Sequence, residues 1–421
     1  MSDAPAPPAV IDIPQEARDK ASELGWEEGL LEAALAKGFS LQEVWQALQA
    51  GIDGATAKQF LETAEPGAAM FQPSLHWMSV PTEWGIKARA SDPKMGLTIG
   101  DINVGTYGDI PDVWTNRSEI ARGSYPKPSM EDMGYTIFEK AIVWADCVVP
   151  LYEEAIRDRW SSATDLNWSS LEPLPDDTER ALCQVLTELS ERSYYEAVVL
   201  GKWLPEVSYG YLEMKLFIST VIYDLARHTE AFRKRALANG GGLGIQAPTD
   251  YNRAVEECRS YPELMATLFV QDSMLLTMYE AGDALANNQL ERDLWALCAK
   301  DRRRYMQYHV ERLKHFLFKK VERREEQNFY FNKAEHRVAK EWQDAAVWEP
   351  LAVLLGGGRE NIEAGKERLQ SLRRKQVADY VENLRRATFF RDALNPRFRE
   401  LLGEDIGDEG PSDVQKALGV G

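Results

Sequence analysis

Two five-residue runs hold the side chains best suited to chemistry: Asp224-Leu225-Ala226-Arg227-His228 and Asp301-Arg302-Arg303-Arg304-Tyr305. Carboxylates and imidazoles collected on inner helix faces are the donors that bind divalent cations, and residues three apart share a helix face. Counting about the turns brings further acids to the same height. Glu191 lies fourteen residues before Pro205 and Asp224 fourteen after Gly210, while Asp272 and Asp301 are level about Asn287. At about 1.5 Å of rise per residue each pair shares a level. Glu191, Asp224, His228, Asp272 and Asp301 therefore form one candidate metal site. The short Asp side chains and the intruding Arg302 argue against it. Arg302 is instead expected to pair with Asp224, Asp272 or Glu191, and His228 to be a core histidine bonded to Asp301 or Asp224.

These residues depend on long helices to place them. Leu212–Leu237 runs without Gly or Pro, with Glu213 near its start and Arg233, Lys234 and Arg235 at its end, before Asn239-Gly240. That charge layout marks a complete helix. Its apolar stripe passes through Met214, Ile218, Val221, Leu225, His228 and Phe232, so Leu225 and His228 face inward. Leu294, Cys298, Arg302, Tyr305, His309, Leu313 and Phe316 form the matching stripe of a later helix. Other helices are expected at about 131–160 (with Pro150 a kink or boundary), 178–204, 262–285, 290–326, 333–355 and 365–394. Strand signals nearly vanish after residue 130, and the class is all-α, a multi-helix bundle. Upstream, 1–10 reads as a disordered Pro/Ala tail. Residues 11–65 read as a small module of three short helices, with a Ser40–Glu43 capping box. Residues 66–130 read as an irregular segment wrapped over a larger body, with one hairpin. The bundle is assigned to 131–326 and further helices to 327–421.

QVLTELSERSYYEAVVLGKWLP, followed by LEMKLFISTVIYDLARHTEAFRKRALANGGGLG, resembles the ferritin-like diiron carboxylate proteins. The similar branch holds the small subunit of ribonucleotide reductase and the multicomponent monooxygenase hydroxylases, and the resemblance spans roughly residues 160–320. It implies a ferritin-like bundle. In that family two helices give one Glu each and two give Glu-x-x-His, together binding two metal ions. The local pattern is Asp-Glu-x-Arg-His, whose Asp and Arg orient the ligands. Here Leu225 stands at the first ligand Glu, with His228 retained. Arg302 and Tyr305 replace the second Glu and His, and Ser193 stands where a lone Glu is expected. No metal cofactor is therefore expected. Di-iron or di-manganese is the alternative, should the five-residue site hold metal. The family's radical chemistry also allows Tyr305 a redox role, against the preferred reading of core packing.

The 49 basic and 67 acidic residues leave a net charge of −18, which disfavours nucleic acid and anionic membrane as main partners. Four cysteines without CxxC spacing read as reduced thiols of a cytoplasmic protein. No apolar run is long enough to span a membrane. GGGLG at 240–244 follows a helix and no strand, so it reads as a helix terminator rather than a phosphate loop. The favoured expectation is a non-catalytic structural or regulatory subunit, a pseudoenzyme with a protein partner or a second copy of itself. The alternatives are an oxygen-dependent oxidoreductase or monooxygenase using the off-pattern site, and a binding protein for an apolar ligand in the bundle core.

Overall fold

A computed structural model describes residues 13–64, 76–80, 83, 85–126, 130–246, 249–391 and 393–403. The tail 1–10, parts of the expected wrap and residues 404–421 lie outside the described residues. Two compact units divide the chain, Met1–Pro81 and Thr82–Gly421. The described residues are helical, with two isolated bridges and no named strand, so the expected hairpin is not formed among them. No described helix is long and apolar enough to cross a membrane.

Among the described residues of 11–65, in the first unit, there are four short helices rather than three: α1 (Gln15–Glu23), α2 (Leu30–Ala36), α3 (Leu41–Gln49) and α4 (Gly54–Thr63). Asp53 starts the fourth by accepting from Thr56 N at 2.9 Å. The Ser40–Glu43 capping box opens α3. Gly54 sits against another backbone, where a Cβ would lie 2.1 Å from Gly25 O. Trp26, Phe39, Val44 and Leu48 anchor the core of this unit.

The second unit begins with two single helical turns, α5 (Gly105–Gly108) and α6 (Lys140–Val143), and then α7 (Val148–Arg157). The one helix expected over 131–160 is therefore absent. Residues 131–139 are not helical, and Pro150 lies in the first turn of α7, where its missing N–H is no loss. Two long helices follow, α8 (Asp176–Trp203) and α9 (Leu212–Ala238), then the short α10 (Asp250–Glu256). Next come α11 (Tyr261–Glu280), the turn α12 (Gly282–Leu285) and α13 (Gln289–Lys319). The closing set is α14 (Arg324–Glu341), α15 (Ala345–Gly356), α16 (Ile362–Arg386) and α17 (Pro396–Leu402). The single helix expected over 333–355 is thus split, because Asp344 caps a new one through Ala346 N at 2.9 Å. α16 stops at Arg386, short of the expected residue 394, and Thr388 follows with φ 57°.

α8 packs along α9, and α11 along α13; α14 and α16 cover α11, and α15 lies against α8 and α16. Eighteen of the twenty residues of α11 are buried, so it is enclosed along nearly its whole length. A helix covered on every side is apolar around most of its circumference, and α11 reads that way, with Glu263, Gln271, Asp272 and the terminal Glu280 its strongly polar members. The irregular segment is tied to the long helices by hydrogen bonds. Arg122 donates to Gly210 O at 2.5 Å, to Tyr107 O at 2.7 Å and to Glu213 Oε2 at 3.0 Å. Tyr211 donates to Phe138 O at 2.6 Å, and Glu153 accepts from Ile99 N at 2.7 Å.

Arg122 and Glu213 are both almost wholly buried, so removing one strands the other. Arg122→Met is expected to lower the unfolding free energy by about 3–5 kcal/mol, and Arg122→Met with Glu213→Leu to recover most of that. Denaturant titration of the three proteins checks it. A double variant no better than the single one would contradict the assignment.

Candidate functional site

α9 contributes Asp224 and Arg227 to the centre of the second unit, and α13 contributes Asp301 and Arg304. Within each helix the spacing of three puts acid and guanidinium side by side. Across the helices Arg304 Nη2 donates to Asp224 Oδ2 at 2.8 Å, and Arg227 Nη2 to Asp301 Oδ2 at 2.8 Å. Each arginine also reaches the aspartate of its own helix, closing a four-membered ring of charges. His228 Nε2 and Trp160 Nε1 both lie 2.9 Å from Asp301 Oδ2. The Arg227 guanidinium stands 4.5 Å over the Trp160 ring.

Burial lowers the pKa of His228, so its ring is neutral and Nε2–H donates to Asp301. For Asp301 burial alone would favour the neutral acid. The bonds from His228, Arg227 and Arg304 outweigh it and hold this carboxyl well below the usual range. Asp224 goes the other way, pushed up to about 6 by burial and by the neighbouring Asp301 charge.

A second group sits beside the ring. Arg302 is fully buried and donates through Nη1 to Glu196 Oε1 at 3.0 Å and Oε2 at 2.8 Å, and also to Asp272 Oδ1. His309 Nε2 lies 3.0 Å from Asp272 Oδ2, and Tyr251 donates to Glu196 Oε2 at 3.2 Å. Across both groups the carboxylates of Asp224, Asp301, Asp272 and Glu196 face the guanidinium groups of Arg227, Arg304 and Arg302, with the His309 ring also on Asp272. Burial, with the Asp272 charge added and Arg302 opposing, pushes the Glu196 carboxyl up to about 7.

The five residues of the candidate metal site do not converge. Asp224, His228 and Asp301 share the ring; Asp272 belongs to the Arg302 group; Glu191 pairs with Arg233 and is partly exposed. The level-counting fails at the α8–α9 hairpin. Cys183 meets Ala236 and Ser190 meets Thr229, a register that leaves Glu191 about one helical turn away from Asp224. Glu196 takes the place facing Arg302, so the expected partners Asp224 and Glu191 are corrected to Glu196, with Asp272 retained.

The positions singled out by the resemblance lie as follows. Leu225 is fully buried among Phe217, Ile218, Val221 and Tyr308. Ser193 is fully buried and its Oγ has no hydrogen-bond partner. Tyr305 is buried, with its ring 5.3 Å from the Arg302 guanidinium, and burial raises its phenol well above the usual range.

Sequence reasoning did not assign Trp160, Tyr251 or His309 to the site. His309 was legible in principle, since it follows Tyr305 by four on the inward stripe of α13. Trp160 and Tyr251 come from outside the long helices, and no spacing rule reaches them. Arg304 lies about 200° around the helix from Arg302, yet both are buried because α13 has neighbours on two sides.

Comparison with protein-family models, with curated proteins and with solved structures gives no match. The side chains alone carry the functional argument. All eight oxygens of the four central carboxylates accept from protein donors. Leu225 offers only methyl groups, and Arg302 brings a positive charge. Among the described residues no group of three or more His, Cys, Asp or Glu is placed to hold a metal ion. These residues do not fit a pair of divalent cations, because taking the carboxylates for metal would strand three buried guanidinium groups.

Two outcomes follow for stability. The raised Glu196 pKa means the folded state holds a proton that the unfolded chain has released above its ordinary pKa. Stability from this group is therefore full below the unfolded value and is lost as pH rises towards about 7. Glu196→Gln should remove up to about one proton of pH dependence in that window, or about 1.4 kcal/mol per pH unit. Unfolding curves of both proteins from pH 5 to pH 8 would show it; parallel curves would contradict it. Arg302→Glu should cost more than about 2 kcal/mol, since three acids would then meet in the core without a cation. An unchanged unfolding midpoint would refute the placement.

Proposed function

We propose that this chain is a ferritin-like bundle that has lost most diiron ligands and serves as a non-catalytic structural or regulatory subunit of a larger assembly. An oxygenase-type complex is the assembly to which the resemblance points. The observation that carries the reading is the buried Arg302 guanidinium between Glu196 and Asp272. A fixed organic cation there supplies the charge balance that metal would otherwise supply.

The hairpins α8–α9 and α11–α13, with Asp-x-x-Arg on both α9 and α13, support the ferritin-like part of the proposal. Large apolar side chains at the surface support the subunit part. Phe318 is 81% exposed and Val321 69%, together around the end of α13, and Phe390 is 65% exposed. Contacts of this kind gain by leaving water at an interface. The oxidoreductase alternative draws no support from the donor set.

Elemental analysis of the purified chain, before and after anaerobic incubation with ferrous iron, is expected to find far less than one metal ion per chain. Two ions per chain would overturn the reading. Native mass spectrometry should then find a complex of fixed stoichiometry, with itself or with another protein. A strict monomer under all conditions would count against a subunit.

A further inference from the structure

α8, α11, α14, α15 and α16 enclose a second feature, a cavity of about 60 Å³ away from the charge ring. Its wall is mostly aliphatic, with Met274, Leu275 and Met278 on α11 and Leu372 on α16. Two polar groups on that wall lack partners. Gln271 is 1% exposed, and neither its amide nitrogen nor its oxygen makes a hydrogen bond. Arg373 Nη2 is buried and unpartnered, and its guanidinium lies 5.0 Å from the Trp342 ring.

Arg373 also lacks a counter-ion. The acids bordering the cavity, Glu188 and Glu341, are both held by Arg192. Burial and the like charge of Arg397 pull the Arg373 guanidinium down to about 10. An apolar wall, a fully buried free amide and an unpaired cation together are the parts of a binding site.

We propose that this cavity binds a small amphipathic carboxylate. The carboxylate meets Arg373 Nη2 and the Gln271 amide, and the aliphatic part lies against Met274, Leu275, Met278 and Leu372. The space exceeds that of one water but is smaller than the roughly 150 Å³ apolar cavity that takes benzene. Anything beyond a few carbons must displace side chains. The unbranched Met274 and Met278 are suited to that, because thioether chains repack at low cost. The site is independent of whether the chain is a subunit, since none of its residues belongs to the Arg302 group.

Calorimetric titration of the full chain with hexanoate, 1-hexanol and hexylammonium tests the head-group preference on one tail. Hexanoate should bind at least about tenfold more tightly than hexanol, and hexylammonium weakest. Arg373→Met should bring hexanoate down to the level of hexanol, leave hexanol unchanged and raise the thermal midpoint by removing an unpaired charge. Met278→Trp, which fills the space, should abolish binding of all three. Preference for hexylammonium, hexanoate binding indifferent to Arg373→Met, or no binding of any probe would overturn the proposal.

Discussion

Four carboxylates share three guanidinium groups at the centre of the second unit, and the burial of that set shapes the rest of the site. Asp301 collects the most donors and stays ionised. Burial leaves Asp224 and Glu196 with raised pKa values, about 6 and about 7. The arrangement is not a large source of stability, because burying charges costs about as much as their attraction returns. What it does is make every alternative register expensive. Slipping α9 against α13 by one turn would strand charges from two helices at once.

The same rule recurs outward. Arg235 donates to Glu179 at 2.8 Å and to Glu291 at 2.9 Å, tying the start of α8 and α13 to the end of α9. Arg122 does this for the irregular segment through Glu213. Arg122, Arg235 and Arg302, each answered by an acid from another element, thus hold the long helices together. Arg312, which donates to Ile142 O, and Arg373 on the side cavity have no acid partner.

The long helices were legible because their stripes repeat without interruption. Leu225, His228, Arg302 and Tyr305 were placed inward on that ground, and the structure buries all four. The breaks were less legible. Pro150 read as a kink or boundary and lies in the first turn of α7, yet the helix expected before it is not formed over 131–139; a periodic stretch over 333–355 hid the Asp344 cap. Partner identity was the least legible of all. Counting residues from a turn assumes that both helices leave it together, and the α8–α9 pair is offset by about one turn, which exchanged Glu191 for Glu196. Trp160 and Tyr251 reach the site from other elements, so only tertiary packing could reveal them.

Burial beside the Asp272 charge holds the Glu196 carboxyl above the ordinary acid range, against the pull of Arg302. Carbon-13 NMR of protein labelled at glutamate Cδ measures this directly, with Glu196→Gln supplying the assignment. The account predicts a Glu196 resonance that titrates with a midpoint of about 7. A Glu196 carboxyl that ionises in the ordinary acid range would contradict it, for then burial beside Asp272 would not be holding its proton.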